Sequence, residues 1–365
     1  MPEQQSYEGQ TVKLPAQLTD IPQATLPPQS YRAPQPSPNS PTTDAVRPRR
    51  NPWGQLILLV GLAWLAYALF GGGGLLPFQG GFSEQQVATS ATYDARNLVL
   101  DTGAGDVTLL HGDNEQIGVE IIRHGFGWTT GSAREAANGL TPDIRQNGDT
   151  LNINDPARGF FVLFGRSPYV EYRVTLPQDA KVDIDTGSGA INASDLQGDF
   201  ELHTGSGEIT LQNIDGTLAI DVGSGDIRID GSTLSNARIH TGSGDIQAED
   251  VEGEFKASTG SGSIDITDAH QATLDLRTGS GDISFAGSLH STDDHSISTG
   301  SGEIRVTLPD DSAFELQAQT SSGDIDVADE WQVSGDNNSR YGTIGEGGPK
   351  LTLHTSSGNI RIEQD

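Results

Sequence analysis

The chain has no cysteine among its 365 residues, which excludes disulfides and thiolate metal sites and leaves the redox compartment open. Cations are scarce. Lys and Arg number 21 against 50 Asp and Glu, for a net charge of −29. Residues 81–365 hold 46 of those acids but only 16 of the cations. Phosphate contacts need clustered positive charge, which argues against nucleic acid or anionic lipid as a partner for this region. Aromatic residues make up 6%, so any core must be built from aliphatic side chains. Long apolar runs are also missing, with one exception between Asn51 and Phe82.

What the chain has in excess is glycine, 46 residues, much of it in one recurring phrase. Thr186-Gly-Ser-Gly-Ala-Ile191 is followed by close copies beginning at Thr204, Val222, Thr241, Thr259, Thr278, Thr299, Thr320 and Thr355. Their central serines are Ser188, Ser206, Ser224, Ser243, Ser261, Ser280, Ser301, Ser322 and Ser357, in steps of 18, 18, 19, 18, 19, 21, 21 and 35. Such a period marks an array in which each copy buries its apolar face against its neighbours.

Around each phrase the pattern alternates. Two residues before the first position stands an aliphatic residue (Ile184, Leu202, Ile220, Ile239), and five after it isoleucine in every copy, from Ile191 to Ile360. Seven after it come Ala193, Leu211, Ile229 and their equivalents, with polar residues between. Period-two alternation on both sides of a Gly-Ser-Gly corner predicts two strands per repeat, each with one face inward. Glycine accommodates the corner and serine is small enough to stack there. A looser second corner recurs at Asp215-Gly216, Asp230-Gly231 and Glu252-Gly253. The expected fold is an all-β, parallel β-solenoid of about nine 18–21-residue coils, roughly 40–45 Å long at the usual strand spacing. An antiparallel meander turning at each Gly-Ser-Gly is the alternative.

Three zones follow. Residues 1–50 carry ten of the 18 prolines and no apolar periodicity, and are predicted to be a disordered Pro-rich tail on the cytoplasmic side. Residues 53–78, within an uncharged stretch that includes Leu56–Phe70, are long enough for one transmembrane helix ending in a Gly hinge. Arg47, Arg49 and Arg50 precede it, so the N-terminus stays cytoplasmic and the repeats are extracellular or periplasmic. Residues 90–180 hold one imperfect phrase, Thr102-Gly-Ala-Gly-Asp-Val107, strand-like Ile117–Ile122 and Val170–Leu176, and a short helix near Ser132–Asn138. They are expected to cap the solenoid of residues 181–365.

Val174-Thr-Leu-Pro177, then Val182-Asp-Ile-Asp-Thr-Gly-Ser-Gly189 and the run of Gly-Ser-Gly-Asp-Ile units, closely resemble the bacterial DUF4097 family, also called the toastrack or adhesin-type domain. The resemblance covers roughly residues 90–365. It implies a β-solenoid on a membrane-anchored envelope protein, several relatives being linked to envelope stress, and it implies no catalytic residues.

Four groups of side chains are candidates for function. The residue after Gly-Ser-Gly is acidic at Glu208, Asp226 and Asp245, among others; stacked carboxylates either bind calcium or accept hydrogen bonds from the N–H groups of their own turns. Asp185, His203, Asp221 and His240 form an outward Asp/His ladder suited to a divalent transition metal, or a simple solvated ladder. The corner serines have no histidine at a fixed offset, which argues against nucleophilic catalysis. Trp128, Phe160, Phe161, Phe164 and Tyr169 in the cap form either a buried strand or a partner-binding lip. The expected function is a non-catalytic structural, adhesive or stress-related binding module. Its partner would be an envelope component, a glycan or another protein. The alternatives are a polysaccharide-processing β-helix enzyme and a cation-binding scaffold.

Overall fold

Strands that alternate with period two must lay their apolar faces on something, and here each repeat lies on a copy of itself. The computed structural model describes residues 83–155 and 167–365. The predicted tail and transmembrane segment, and Phe160, Phe161 and Phe164, lie outside the described residues. Among the described residues no helix is long and apolar enough to cross a membrane.

The first part of the domain contains β1 (Ser83–Tyr93), β2 (Asn97–Thr102), β3 (Val107–His111), β4 (Ile117–Gly127), α1 (Thr130–Asn138), β5 (Asp143–Asn147), β6 (Thr150–Asp155) and β7 (Tyr169–Leu176). The array follows as β8 (Ala180–Ser188), β9 (Ile191–Ser206), β10 (Ile209–Ser224), β11 (Ile227–Ser243), β12 (Ile246–Ser261), β13 (Ile264–Ser280), β14 (Ile283–Leu289), β15 (His295–Ser301) and β16 (Ile304–Leu308). The far end holds β17 (Phe314–Thr320), β18 (Ile325–Val327), β19 (Ser334–Asp336), β20 (Ser339–Ile344), β21 (Lys350–Ser357) and β22 (Ile360–Gln364).

The repeats pair in parallel, like residue on like, so the fold is all-β and solenoid-like. Ile191 pairs with Ile209, Ile209 with Ile227, Ile227 with Ile246, Ile246 with Ile264, and Ile264 with Ile283. Every isoleucine of this column is buried. Each contributes about 1.5–3 kcal/mol of burial before ordering entropy is subtracted. The long strands β9–β13 bend at the second corner. There Asp195, Asn213, Gly231, Asp250 and Asp268 form a column of left-handed residues with φ between 50° and 60°. Asp and Asn tolerate that conformation better than most side chains do. Of the looser corner expected from the sequence only Gly231 lies in this column; Gly216 and Gly253 stack with Gly198 and Leu234 at a separate position along the strand.

Close backbone approach explains the last glycine of each corner. A Cβ on Gly207 would lie 2.0 Å from the carbonyl oxygen of Gly189, and one on Gly225 2.0 Å from that of Gly207. The phrase's first residue has a role the sequence did not disclose. Thr241, Thr259, Thr278 and Thr299 are buried, and each hydroxyl donates to the carbonyl of the last corner glycine one level back, at 2.9–3.1 Å. The Thr is an internal staple between coils.

The phrases do not stack in chain order. After β15 and β16 the chain passes over one level, builds β17 and β18, and returns to fill the gap with β21 and β22. Ile360 therefore sits between Ile304 and Ile325. The 35-residue step is the length of this return. The opposite end does the same, with β2 lying between β6 and β8 and β3 between β7 and β9. Both ends are then closed by antiparallel strands: β5 on β6, β4 on β7 and β1 on β4, and β20 on β17 with β19 on β20. Antiparallel covers remove the open parallel edges that would template aggregation.

Candidate functional site

The corner acids are held by backbone. Oδ1 of Asp226 accepts the amide of Asp245 at 3.0 Å, and Oδ1 of Asp245 accepts the amide of Ser263 at 2.8 Å. Asp106 and Asp282 bond Ala190 and Glu303 in the same way. The donor is the next coil's amide, where the sequence suggested the residue's own turn. Glu208, one methylene longer, pairs instead with Arg228, which also lies 3.7 Å from Asp226. Glu303 likewise pairs with Arg305 at 2.9 Å and Arg361 at 3.6 Å, so the like charges in this column are offset by amides and by guanidinium groups.

Asp185, His203, Asp221 and His240 do form one outward column at successive levels. His203 Nε2 lies 3.3 Å from Glu201, and His240 Nδ1 lies 3.0 Å from the Ser258 hydroxyl. Among the described residues no three His, Asp or Glu side chains converge as metal ligands. Beside this column runs a shallow groove of about 620 Å³, lined at one end by Lys181, Asp183, Asp199 and Glu201 and at the other by Arg238. Burial and the neighbouring Glu201 raise the Asp183 pKa, with Asp185 adding to the shift and His203 opposing it. Arg238 is exposed and stands between Ala219 and Lys256. Among the described residues no carboxylate pairs with it. The groove thus presents carboxylates across several levels and then an uncompensated guanidinium.

The cap gathers aromatic rings at one corner. Tyr169 stacks on His124 at 4.3 Å and 7°, and its centroid lies 6.2 Å from that of Phe126. Trp128 is 54% exposed. Of the five aromatic residues expected to act together, Trp128 and Tyr169 fall in this corner. His124 is buried between Glu84 on β1 and Glu171 on β7, each at 3.3 Å. Sequence reasoning missed His124 and Phe126. A histidine two residues after the buried Ile122 in β4 was the available signal.

A family profile described as Toastrack DUF4097 matches residues 95–363. The chain belongs to the Toastrack DUF4097 family. A comparison with curated proteins gives no match. Among solved structures, this Toastrack chain is similar to a candidate adhesin from Bacteroides fragilis at 14% identity, covering 76% of this chain and 97% of that one with a TM-score of 0.37. It is also similar to a candidate cell-adhesion protein from Clostridium sporogenes at 15% identity, covering 78% and 100% with a TM-score of 0.22. A candidate lipid-binding protein from Parabacteroides distasonis matches at 13% identity, covering 77% and 97% with a TM-score of 0.26. At these identities and scores the likenesses carry no argument about ligands.

Proposed function

We propose that this Toastrack domain is a non-catalytic binding module of the cell envelope, displayed on the outer side of the membrane by the segment at residues 53–78. The observation that carries the reading is the groove beside the Asp/His column. It runs across successive coils, so its polar groups repeat at strand spacing, about 4.8 Å, and suit an extended polymer better than a compact substrate. Lys181, Asp183, Glu201 and Arg238 offer hydrogen bonds and charge of both signs. Catalysis of glycan cleavage would need Asp183 and Glu201, side by side on β8 and β9, to act as acid and base on one bond, which a turnover assay tests. An extended envelope glycan is the ligand class this surface fits.

The test is a glycan array probed with the full chain in detergent, run beside a turnover assay on the same polymers. Binding that Arg238→Glu weakens at least tenfold, without product formation, supports the reading. Product formation that survives repurification would replace it with the enzymatic one. No binding to any glycan, with capture of an envelope protein instead, would move the partner to another class.

A further inference from the structure

The corner built by Phe126, Trp128 and Tyr169 lies where the chain enters the domain. Ser83, the first described residue, pairs with Gly127, the immediate neighbour of Trp128. The strand it opens, β1, is outermost on its side of the stack, in the order β1, β4, β7, β3. The tip of the array and the entry of the chain therefore coincide.

Charge singles out the same place. From Asn51 to Phe82 no residue is charged, and neither is any from Gly125 to Ala133. The rest of the domain is strongly acidic. Fully extended, the stretch from Phe70 to Ser83 reaches no more than about 45 Å. A half-exposed indole beside this entry matches the side chain favoured at the boundary between headgroups and acyl chains, with an apolar ring and one N–H donor.

We propose that the Trp128 corner is a membrane-surface contact: it rests in the lipid headgroup layer and holds the stack tip-down on the bilayer. The proposal rests on residues 53–78 spanning the membrane. The acidity of the body restricts the contact to the tip. Carboxylates along the coils are repelled by anionic headgroups; Gly125–Ala133 carries none, and the nearest acids, Glu84 and Glu171, are each held against His124. From β1 through β4, β7, β3, β9 and β10 to β11 is six strand spacings, about 29 Å, so Arg238 stands clear of the lipid.

The absence of cysteine makes the test direct. Gly131 has open space where a Cβ would be, its nearest neighbour being Thr129 Oγ1 at 3.8 Å, so Gly131→Cys accepts a spin label. The full chain is placed in phosphatidylcholine vesicles, and the label's accessibility to oxygen and to a water-soluble nickel chelate is compared. Ala66→Cys reports on the anchor and Glu346→Cys, in the far cap, on solvent. The expected result is a Gly131 label at headgroup depth that Trp128→Ser shifts to the solvent values of Glu346 and Trp128→Tyr does not, with unchanged melting curves. A lipid-exposed Ala66 label with a Gly131 label as wet as Glu346 overturns the contact and leaves the anchor standing. A wet Ala66 label overturns both. A Gly131 label shielded from both relaxants means a protein covers the corner, and also overturns the proposal.

Discussion

Asp226 accepts the backbone amide of Asp245, one coil along the stack, at 3.0 Å. The same bond recurs at Asp245 and Asp282, and Asn359 makes it to Asp324 with an amide oxygen at 3.1 Å. What matters is an oxygen at fixed reach, and charge is secondary. At Asp282, which holds the Glu303 amide at 2.7 Å, replacement by Asn should leave stability within about 0.5 kcal/mol of the parent. Replacement by Ala should cost about 1 kcal/mol, because an amide loses its acceptor. Thermal melts of the two variants check this. Millimolar calcium should leave the parent's Tm where a chelator leaves it, and a rise with calcium would restore the carboxylate column as a cation site.

Glycine at the corner is fixed by its neighbour's backbone. Gly262 has φ of +150°, and a Cβ there would sit 2.0 Å from the Gly244 carbonyl oxygen. Gly262→Ala should therefore lose at least about 3 kcal/mol through left-handed strain and overlap with the coil below. Gly131, at the start of α1, meets no such neighbour, and Gly131→Ala should gain about 0.5 kcal/mol. A denaturant titration that ranks the two the other way round would mean the coils are not in contact at their corners.

Much of this was legible from the sequence because two constraints are periodic. The isoleucine column follows from alternation, and the corner follows from Gly-Ser-Gly. The order of the coils was not legible: identical phrases fit one another at any level, so nothing in Thr355–Ile360 says that its neighbours are Thr299 and Thr320. The threonine staple was hidden for a related reason. Thr and Val have the same shape in a buried column, and only the neighbouring carbonyl distinguishes Thr241 from Val222. His124, Glu84 and Glu171 come from three strands far apart in the chain, and no local spacing announces them.

His295 occupies an inward column whose neighbour Leu351 is apolar, and it is buried. Its Nδ1 accepts the Leu274 amide at 3.3 Å, and its Nε2 lies 3.2 Å from the His290 carbonyl. Those contacts suit the neutral ring. Burial lowers its pKa below the ordinary 6.5, against the opposing pull of the His290 carbonyl, Asp293 and Asp294. Between the lowered and the ordinary value the unfolded chain binds the extra proton, so stability is full above about pH 6.5 and falls as the pH drops through it. The parent's Tm should decline from pH 7 to pH 5 more steeply than that of His295→Leu. Parallel slopes would show that the ring does not titrate on unfolding.

The last strands of the chain hold together coils made earlier. Ser357 and Asn359 accept the amides of Gly302 and Ile304 on one side. On the other, the amides of Gly358 and Ile360 reach Ser322 and Asp324, all four bonds at 2.9–3.0 Å. A chain ending at Gly348 would leave an empty level between β15–β16 and the last coil, β17–β18. Hydrogen exchange should then show the Ser321 and Ala328 amides losing protection together with those of Gly302 and Ile304, all four of which donate to carbonyls of residues 355–362, while β9 to β12 keep theirs, because each long strand there pairs directly with its successor. If the coils stacked in chain order, the same truncation would merely uncover β17 and β18 and leave them protected by β15 and β16. Retained protection of the Ser321 and Ala328 amides, whose acceptors Thr355 and Ile362 would be gone, would therefore refute the interleaved end.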